Sequence, residues 1–175
     1  VTRFVNEYFD HQRSCFIVHR LDRAATGLIV IAHSKKATQA LAKLFEHHHL
    51  TKSYQVIVSG DFSSHASPLE VNTEVDNKVA KSTFTHHLFN AEKSASLVDV
   101  LIDTGRKHQI RIHAASVGFP VIGDRLHGGD EIKALSKDNN LQLCAVHLAF
   151  SCPLTGQDID VKLPDKYRLS LESLT

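Results

Sequence analysis

The sequence of 175 residues has no methionine, only four prolines and only three cysteines. Cys15, Cys144 and Cys152 are an odd number of thiols without a C-x-x-C pair, which argues against a disulfide framework and against a zinc knuckle. Unpaired thiols are typical of proteins in a reducing compartment. We therefore expect a cytoplasmic location.

Long apolar runs and an excess of one charge are also missing. The longest uninterrupted apolar stretch, Leu28 to Ala32, is far shorter than the roughly 20 residues that cross a bilayer, so no membrane partner is expected. Lys and Arg number 20 against 19 Asp and Glu. Any binding of a polyanion must therefore come from a local basic patch rather than from the field of the whole molecule.

The domain organisation is simple. Residues 1–175 contain no repeat, low-complexity tract or linker, and their number fits one domain. The chain begins at Val1 without a basic and apolar leader, which indicates a chain that is processed, trimmed or part of something longer.

Hydrophobic patterning predicts alternating strands and helices in the first third. Apolar residues at 16–18 and 28–31 predict two short strands, and Ser34 is placed to cap a helix that ends near the histidines at 47–49. The segment 51–60 alternates, which predicts a strand with Tyr54 on the same face as two core valines.

The remainder predicts a mixed α+β fold whose sheet is largely antiparallel and carries flanking helices. Residues 61–79 are polar and predict a loop with at most a short strand. A helix at 107–117 should end at Gly118. The other predicted elements are strands at 82–89, 96–102, 141–151 and 158–163 and a short helix near 131–136.

Two strings concentrate chemistry. HRLD at 19–22 places charged side chains at a strand end, before the turn Ala24-Ala25-Thr26-Gly27. A purely structural interpretation is that Asp22 caps the turn while Arg20 makes a surface salt bridge. GRKHQIRIH at 105–113 packs five basic residues into nine positions, which indicates either a basic face for phosphates or a solvated helix face.

Taken together, these strings resemble the RluA-type RNA pseudouridine synthases, whose signature is an H-R-L-D string followed by a T-S-G-like turn. HRLDRAATGL at 19–28 and TKSYQVIVSG at 51–60 are similar to two family blocks. GRKHQIRIHAASVGFPVIGD at 105–124 and HLAFSCPLTGQ at 147–157 are similar to the next two. The blocks stand in the family's order and cover almost the whole chain.

The sequence departs from the family pattern in two places. Ala25-Thr26 stands where Thr-Ser is usual, as in related tRNA-type synthases. The family's domain begins with a strand carrying a K-P-x-G string, and nothing like it precedes Val1. We therefore expect a single catalytic domain, 1–175, that lacks the family's first N-terminal strand.

The resemblance implies three catalytic residues. Asp22 is the essential carboxylate, acting either as nucleophile or as electrostatic partner when the base leaves the ribose. Arg111, the arginine of Q-I-R, keeps that carboxylate ionised under a bound base. Tyr54 stacks on the target base and takes the final proton from carbon 5, although the usual pKa of a tyrosine suits the second role poorly.

The resemblance also implies an RNA partner, ribosomal or transfer RNA, from which the uridine is flipped out. Arg20 enters the gap left by the flipped nucleotide. Because the reaction is redox-neutral and consumes nothing, no cofactor or metal is implied. We also expect a monomer. The further RNA-binding candidates are His19, Lys52, Arg106, Lys107 and His108.

Two other functions stay open at this point. A metal hydrolase is one, because histidines adjoin at 47–49 and 86–87, although no Cys, Asp or Glu stands at ligand spacing. A degenerate or truncated relative that only binds RNA is the other. His127 and Asp124 could support the pocket wall or be ordinary structural polar residues.

Overall fold

The structure is a computed structural model that describes residues 1–130, 132 and 138–174. Its described helices are α1 (Thr2–Tyr8), α2 (Lys35–Glu46) and α3 (Gln109–Ser116). The described strands are β1 (Phe16–Ile17), β2 (Thr26–Gly27), β3 (Ile31–Ala32), β4 (Thr51–Ser59), β5 (Leu69–Val75), β6 (Lys78–Asn90), β7 (Ala95–Ile102), β8 (Leu143–Ser151) and β9 (Asp158–Lys162). No helix in this part of the chain is long and apolar enough to cross a membrane.

One sheet of seven described strands organises the molecule. Its order is β2-β8-β4-β7-β6-β5, with β9 also paired to β8, while β1 and β3 form a separate small ribbon. All pairs are antiparallel except β2 with β8, which is parallel. The predicted fold class, a mixed α+β domain with a largely antiparallel sheet, is confirmed.

Both faces of the sheet are covered by apolar side chains. Val56 and Val58 of β4 point into the larger core, where Ile110 and Ala114 seat α3 against the sheet. Ile57 lies between those valines in sequence and points to the opposite face, as strand alternation requires. Helix α3, which carries the basic string, is thus fixed on one face of the sheet.

Helix α2 follows its sequence signal closely. The Oγ of Ser34 accepts a hydrogen bond from the backbone N–H of Ala37 at 3.1 Å, which caps the first turn as predicted. The helix ends at Glu46, directly before the histidines. Its C-terminal end and the start of β4, which carries Tyr54, line the same cavity.

The predicted strand at 28–31 was wrong in its bounds. The chain forms β2 at Thr26–Gly27, directly before the predicted start, and is extended again only at Ile31 in β3. Gly27 has a φ of +100°, and a Cβ there would collide with the backbone of Ala145 in β8. The positive φ of Gly27, where β2 pairs with Ala145, departs from strand geometry and interrupts the extended run.

Two other elements also differ from the sequence prediction. The polar stretch 61–79 contains the seven-residue edge strand β5, of which only Val71 and Val75 are buried, so its exposed face made it resemble a loop. Helix α3 begins at Gln109 because His108 has left-handed backbone angles. The short helix predicted near 131–136 falls, apart from residue 132, outside the described residues.

Candidate active site

A cavity of about 710 Å³ opens beside the HRLD segment and contains most of the predicted site residues. Its walls come from the segment after β1, the end of α2, the start of β4 and the loop before α3. Arg111 lies behind this wall, in contact with Asp22. The predicted residues that line the cavity are His19, Arg20, Asp22, Lys52, Tyr54, Arg106, Lys107 and His108.

Asp22 and Arg111 meet although they are 89 positions apart in the chain. The Nη1 of Arg111 donates to Oδ2 of Asp22 at 3.3 Å, and the two side chains are only 7% and 16% exposed. The turn after Asp22 is closed by its backbone carbonyl, which accepts from the N–H of Ala25 at 3.0 Å. The carboxylate is therefore turned to the arginine and the cavity rather than used as a turn cap.

A second carboxylate holds the same guanidinium from behind. Asp124, 1% exposed, accepts from Nε of Arg111 at 2.9 Å and from Nη2 at 2.5 Å. It also accepts from the backbone N–H groups of Leu126 and His127, at 2.9 and 3.1 Å. Asp124 is thus a structural partner of the site, one of the two roles that the sequence left open.

Asp124 and Arg111 each stabilise the charged form of the other. Burial opposes ionisation of Asp124, but the hydrogen bonds and charge of Arg111 outweigh it and lower the pKa of the carboxyl. Burial likewise opposes the charge of Arg111, and Asp124 and Asp22 together raise the pKa of the guanidinium. Asp22 therefore faces a permanent cation whose position is fixed.

Tyr54 lies at an irregularity of the sheet. The register between β4 and β8 shifts between Ser53 and Tyr54, and the tyrosine packs against the large core while its side chain lines the cavity. Burial, aided by the negative charge of Asp22, raises the pKa of Tyr54 to about 12. The ring is therefore a neutral aromatic wall at neutral pH.

His19 is built into the scaffold. Its Nε2 accepts from the backbone N–H of Val30 at 2.9 Å, and its ring stacks on Phe45 with centroids 4.2 Å apart. Burial, with help from the charge of Lys52, lowers the pKa of His19 to about 4. A neutral ring already engaged in this way favours a role in holding the HRLD segment over direct contact with phosphate.

The cations at the cavity mouth differ in exposure. Arg20 and Lys107 are exposed, while Lys52 is buried with its ammonium 5.9 Å from the ring centroid of Phe45. Burial lowers the pKa of Lys52. The guanidinium of Arg106 donates from Nε to the carbonyl of Val79 at 3.2 Å. The cavity is thus rimmed by positive charge on two sides.

Of the two alternatives for 105–113, a basic face for phosphates or a solvated helix face, the second is wrong for α3. Gln109, Arg111 and His113 are buried, and His113 shares a hydrogen bond of 2.9 Å with the hydroxyl of Ser82. The basic string therefore splits: Arg106 and Lys107 remain at the rim, whereas Arg111 and His113 point inward.

Gln109 holds the loop that carries these rim cations, a role that the sequence analysis missed. Its Oε1 accepts from Oγ1 of Thr104 at 2.7 Å and from the N–H of Arg106 at 3.1 Å. Its Nε2 donates to the carbonyl of Lys81 and to Oγ of Ser82, both at 2.9 Å. Its place in the Q-I-R string was the available sequence signal, but that string gave no role to the glutamine.

His48 also lines the cavity, although the sequence analysis considered it only as a possible metal ligand. It lines the wall at the end of α2, and burial together with the charges of Lys52 and Arg106 lowers its pKa. Within residues 1–130, 132 and 138–174, no group of three or more His, Cys, Asp or Glu side chains is arranged to hold a metal ion.

His108 lies between the rim and Arg111. Its backbone φ is +56°, and its Nδ1 is 3.0 Å from Nε2 of His127. Burial and the charge of Arg111 lower the pKa of His108, aided by His127 and Lys107 and opposed by Asp22. The imidazole is therefore mainly neutral near pH 7.

Comparison with known proteins supplies an independent view of this arrangement. The sequence profile of a family described as RNA pseudouridylate synthase matches residues 1–116. The ribosomal large subunit pseudouridine synthase D of Zymomonas mobilis is 31% identical over 177 residues, which cover 90% of this chain and 56% of that protein. A protein of Aquifex aeolicus named as an uncharacterized RNA pseudouridine synthase is 36% identical over 160 residues, covering 81% and 50%.

The chain spans about half the length of the curated relatives it matches. Among solved structures, the human RNA pseudouridylate synthase domain containing 1 superposes with a TM-score of 0.78. The superposition covers 93% of this chain and 73% of that chain at 21% identity. Similarity at that identity shows a common fold.

Proposed function

The chain belongs to the RNA pseudouridylate synthase family, and on that premise we propose that its cavity converts a uridine of an RNA into pseudouridine. The observation that carries the proposal is the contact of Asp22 with Arg111, which puts a carboxylate and its fixed counter-ion at the wall of a cavity large enough for a nucleotide. The family resemblance drawn from the motifs is the one that the comparisons support.

The proposed reaction exchanges one bond of the base for another. The bond between N1 and C1′ breaks, C5 joins C1′, the proton on C5 leaves and N1 gains a proton, so that nothing is consumed. Detachment of the base leaves positive character at C1′, which a carboxylate stabilises as nucleophile or as electrostatic partner. Asp22 takes this role because its carboxylate faces the cavity.

Arg111 keeps Asp22 effective when the base closes the cavity. A carboxylate that loses its water shifts toward its neutral form unless a cation compensates. The guanidinium is held by Asp124 through two hydrogen bonds, so it does not have to reorganise when the substrate enters. In this proposal, Asp124 acts through Arg111 and does not touch the substrate.

Tyr54 stacks on the flipped base, and Arg20 fills the space that the base leaves in the RNA. Extruding a base from a stacked RNA costs a few kcal/mol, which stacking inside the pocket offsets. The neutral ring of Tyr54 lines the cavity and offers an aromatic face to the uracil. Arg20 is exposed at the mouth, where a guanidinium can take the place of the extruded base.

The rim cations supply the contacts to the RNA backbone. Arg106 and Lys107 line the mouth and can approach phosphates beside the flipped nucleotide, while the buried Lys52 lies deeper in the same wall. We propose ribosomal or transfer RNA as the substrate class, and the name of the Zymomonas mobilis relative favours ribosomal RNA. The three cysteines are free, which supports a cytoplasmic location.

We further propose that residues 1–175 form one catalytic domain. This domain acts as a monomer and without a cofactor. The single-domain part of the proposal is supported by the cavity, whose lining residues range along the chain from Ile17 to Leu143. Because the bond exchange is redox-neutral, it requires no group that accepts or supplies electrons.

Release of tritium from RNA labelled at C5 of uridine tests the proposal. The parent protein should release tritium into water from RNA that lacks pseudouridine, while Asp22→Asn and Asp22→Ala should not. The exposed Asp160→Asn is the matched control and should behave as the parent does. A folded parent that binds RNA without release would overturn the synthase and favour a relative that only binds RNA.

A further inference from the structure

Lys52 is a buried cation in the wall of the cavity. The residue is only 8% exposed and lines the cavity. Among the residues that the structure describes, no carboxylate forms an ion pair with its ammonium. Taking a charge out of water without an opposite charge costs free energy. An ammonium kept in such a place therefore indicates an anion that comes from outside the protein.

The ammonium of Lys52 lies close to two other residues of the cavity wall. It is 5.9 Å from the ring centroid of Phe45, and a Cβ at Gly105 would lie 3.1 Å from it. It makes no hydrogen bond with the described residues, yet it is not among their fully buried polar atoms without a partner. The ammonium is therefore still reached from the cavity.

The positive charge of Lys52 is not offset by its neighbours. Burial lowers the pKa of Lys52, and no carboxylate counters the effect. Burial also lowers the pKa of His48, and the charges of Lys52 and Arg106 add to that effect. The two cations thus act on one imidazole of the same cavity wall, which marks a local concentration of positive charge.

The spacing of Lys52 and Tyr54 suits the dimensions of one nucleotide. The two residues stand two positions apart on β4, and both line the cavity. Alternate residues of a strand share a face, and two residues cover about 7 Å along it. The phosphate of a nucleotide lies at a comparable distance from its base. A uracil that stacks on Tyr54 therefore brings its own phosphate within reach of Lys52.

We infer that Lys52, together with Arg106, binds a phosphate attached to the ribose of the flipped uridine, an inference that rests on the proposed function. The N–H groups of both cations donate to the phosphate oxygens. Salt screens phosphate contacts at the exposed rim, whereas it screens a contact inside the occupied cavity much less. Lys52 thus binds the extruded nucleotide itself, whereas the exposed Lys107 binds the RNA around it.

The test removes the charge of one phosphate at a time. The uridine that the parent converts is located by reverse transcription after carbodiimide treatment, and a synthetic RNA around it carries a methylphosphonate linkage on its 5′ or its 3′ side. The neutral linkage that meets Lys52 should lower kcat/KM for pseudouridine formation by about 10- to 100-fold, the usual range for a hydrogen bond to a charged group. The other linkage should have the smaller effect, which identifies the phosphate.

Lys52→Met is the matching change in the protein, because methionine keeps an unbranched stem without the charge. With unmodified RNA this variant should lose a similar factor, and the neutral linkage should then cost it little more, since both changes remove the same contact. Lys52→Met should also resist urea at least as well as the parent, because a buried charge without a counter-ion has been removed.

Two other lysines serve as controls for the general attraction of RNA. Lys166→Met, in an exposed position near the C-terminal end, should behave as the parent does with every RNA. Lys107→Met should weaken the binding of RNA and still show the full loss at the neutral linkage, because its contact is made elsewhere.

Three results would contradict this account. A parent that converts both neutral-linkage RNAs as fast as the natural RNA would overturn the inference, and so would a folded Lys52→Met that still loses the full factor at the neutral linkage. Either result would leave the synthase itself standing. A parent that converts no uridine in any RNA would overturn the proposed function and this inference with it.

Discussion

Asp124 binds the guanidinium of Arg111 through both carboxylate oxygens, with Nε to Oδ2 at 2.9 Å and Nη2 to Oδ1 at 2.5 Å. The other terminal nitrogen, Nη1, donates to Oδ2 of Asp22 at 3.3 Å. Asp124 therefore fixes the position of Arg111, the partner of Asp22, without lining the cavity itself.

Asp124→Asn tests this dependence. Asparagine keeps the shape of the side chain but removes the charge that compensates a buried guanidinium, so unfolding should become easier by about 3–5 kcal/mol. If Arg111 shifts by about 1 Å, the rate of pseudouridine formation should fall by roughly 100-fold. Urea titration and single-turnover kinetics measure the two effects.

The control is Asp160→Asn, an exposed carboxylate that contacts His147 at 3.0 Å. Its change in unfolding free energy should stay within about 0.5 kcal/mol, as for other surface substitutions. If Asp124→Asn behaved as this control does, Arg111 would be positioned by something other than Asp124.

The Arg111–Asp124 pair also shows why the site could be predicted only in part. The motifs named Asp22, Tyr54 and Arg111, and these residues do converge, but the pairing of Arg111 with Asp124 depends on where the chain leads after α3. No periodicity in the sequence fixes that path, so Asp124 remained an ambiguous polar residue until its two hydrogen bonds were seen.

A second prediction concerns the amide of Gln109. Gln109→Glu replaces the group that donates to Lys81 and Ser82 with an acceptor, leaving those contacts unmade in a buried place. The free energy of unfolding should fall by about 1–3 kcal/mol or more, since the new acceptor is ionisable. Urea titration against Gln39→Glu, on the exposed face of α2, measures it. Equal midpoints for the two variants would argue against the role of this amide.

The fold shows the same division between local and distant causes. The cap at Ser34 and the alternation of β4 are local signals, and both predictions held. The edge strand β5 has one solvated face, which made it look like a loop, and β2 stops where it meets Ala145 of a strand far along the chain. Sequence patterns record burial and capping, but they do not record which distant backbone a segment meets.

A third prediction separates the ring of Tyr54 from its hydroxyl. Tyr54→Phe keeps the aromatic face and should bind the RNA as the parent does, whereas Tyr54→Ala should lose the roughly 1–3 kcal/mol of base stacking. Because the pKa of Tyr54 is about 12, the pH profiles of Tyr54→Phe and the parent should run parallel between about pH 6 and pH 9. A phenylalanine variant that binds RNA as weakly as Tyr54→Ala would contradict a stacking role for the ring.

A fourth prediction concerns the basic rim. The logarithm of the RNA association constant should fall linearly with the logarithm of salt concentration, and Lys107→Ala should reduce the slope by about 0.7, the value for one contact to a single strand. Lys166→Ala, in an exposed position near the C-terminal end, should leave the slope unchanged. An affinity that does not change with salt would rule out phosphate contacts at the rim.

Nucleoside analysis of treated RNA tests whether this chain turns uridine into pseudouridine and depends on Asp22 to do so. RNA without pseudouridine is incubated with the parent or with Asp22→Asn, digested to nucleosides, and its uridine and pseudouridine are quantified. We expect the parent to form pseudouridine mole for mole with the uridine lost, and Asp22→Asn to form none. Pseudouridine at the same level with Asp22→Asn, or none with a folded parent that binds the RNA, would contradict it.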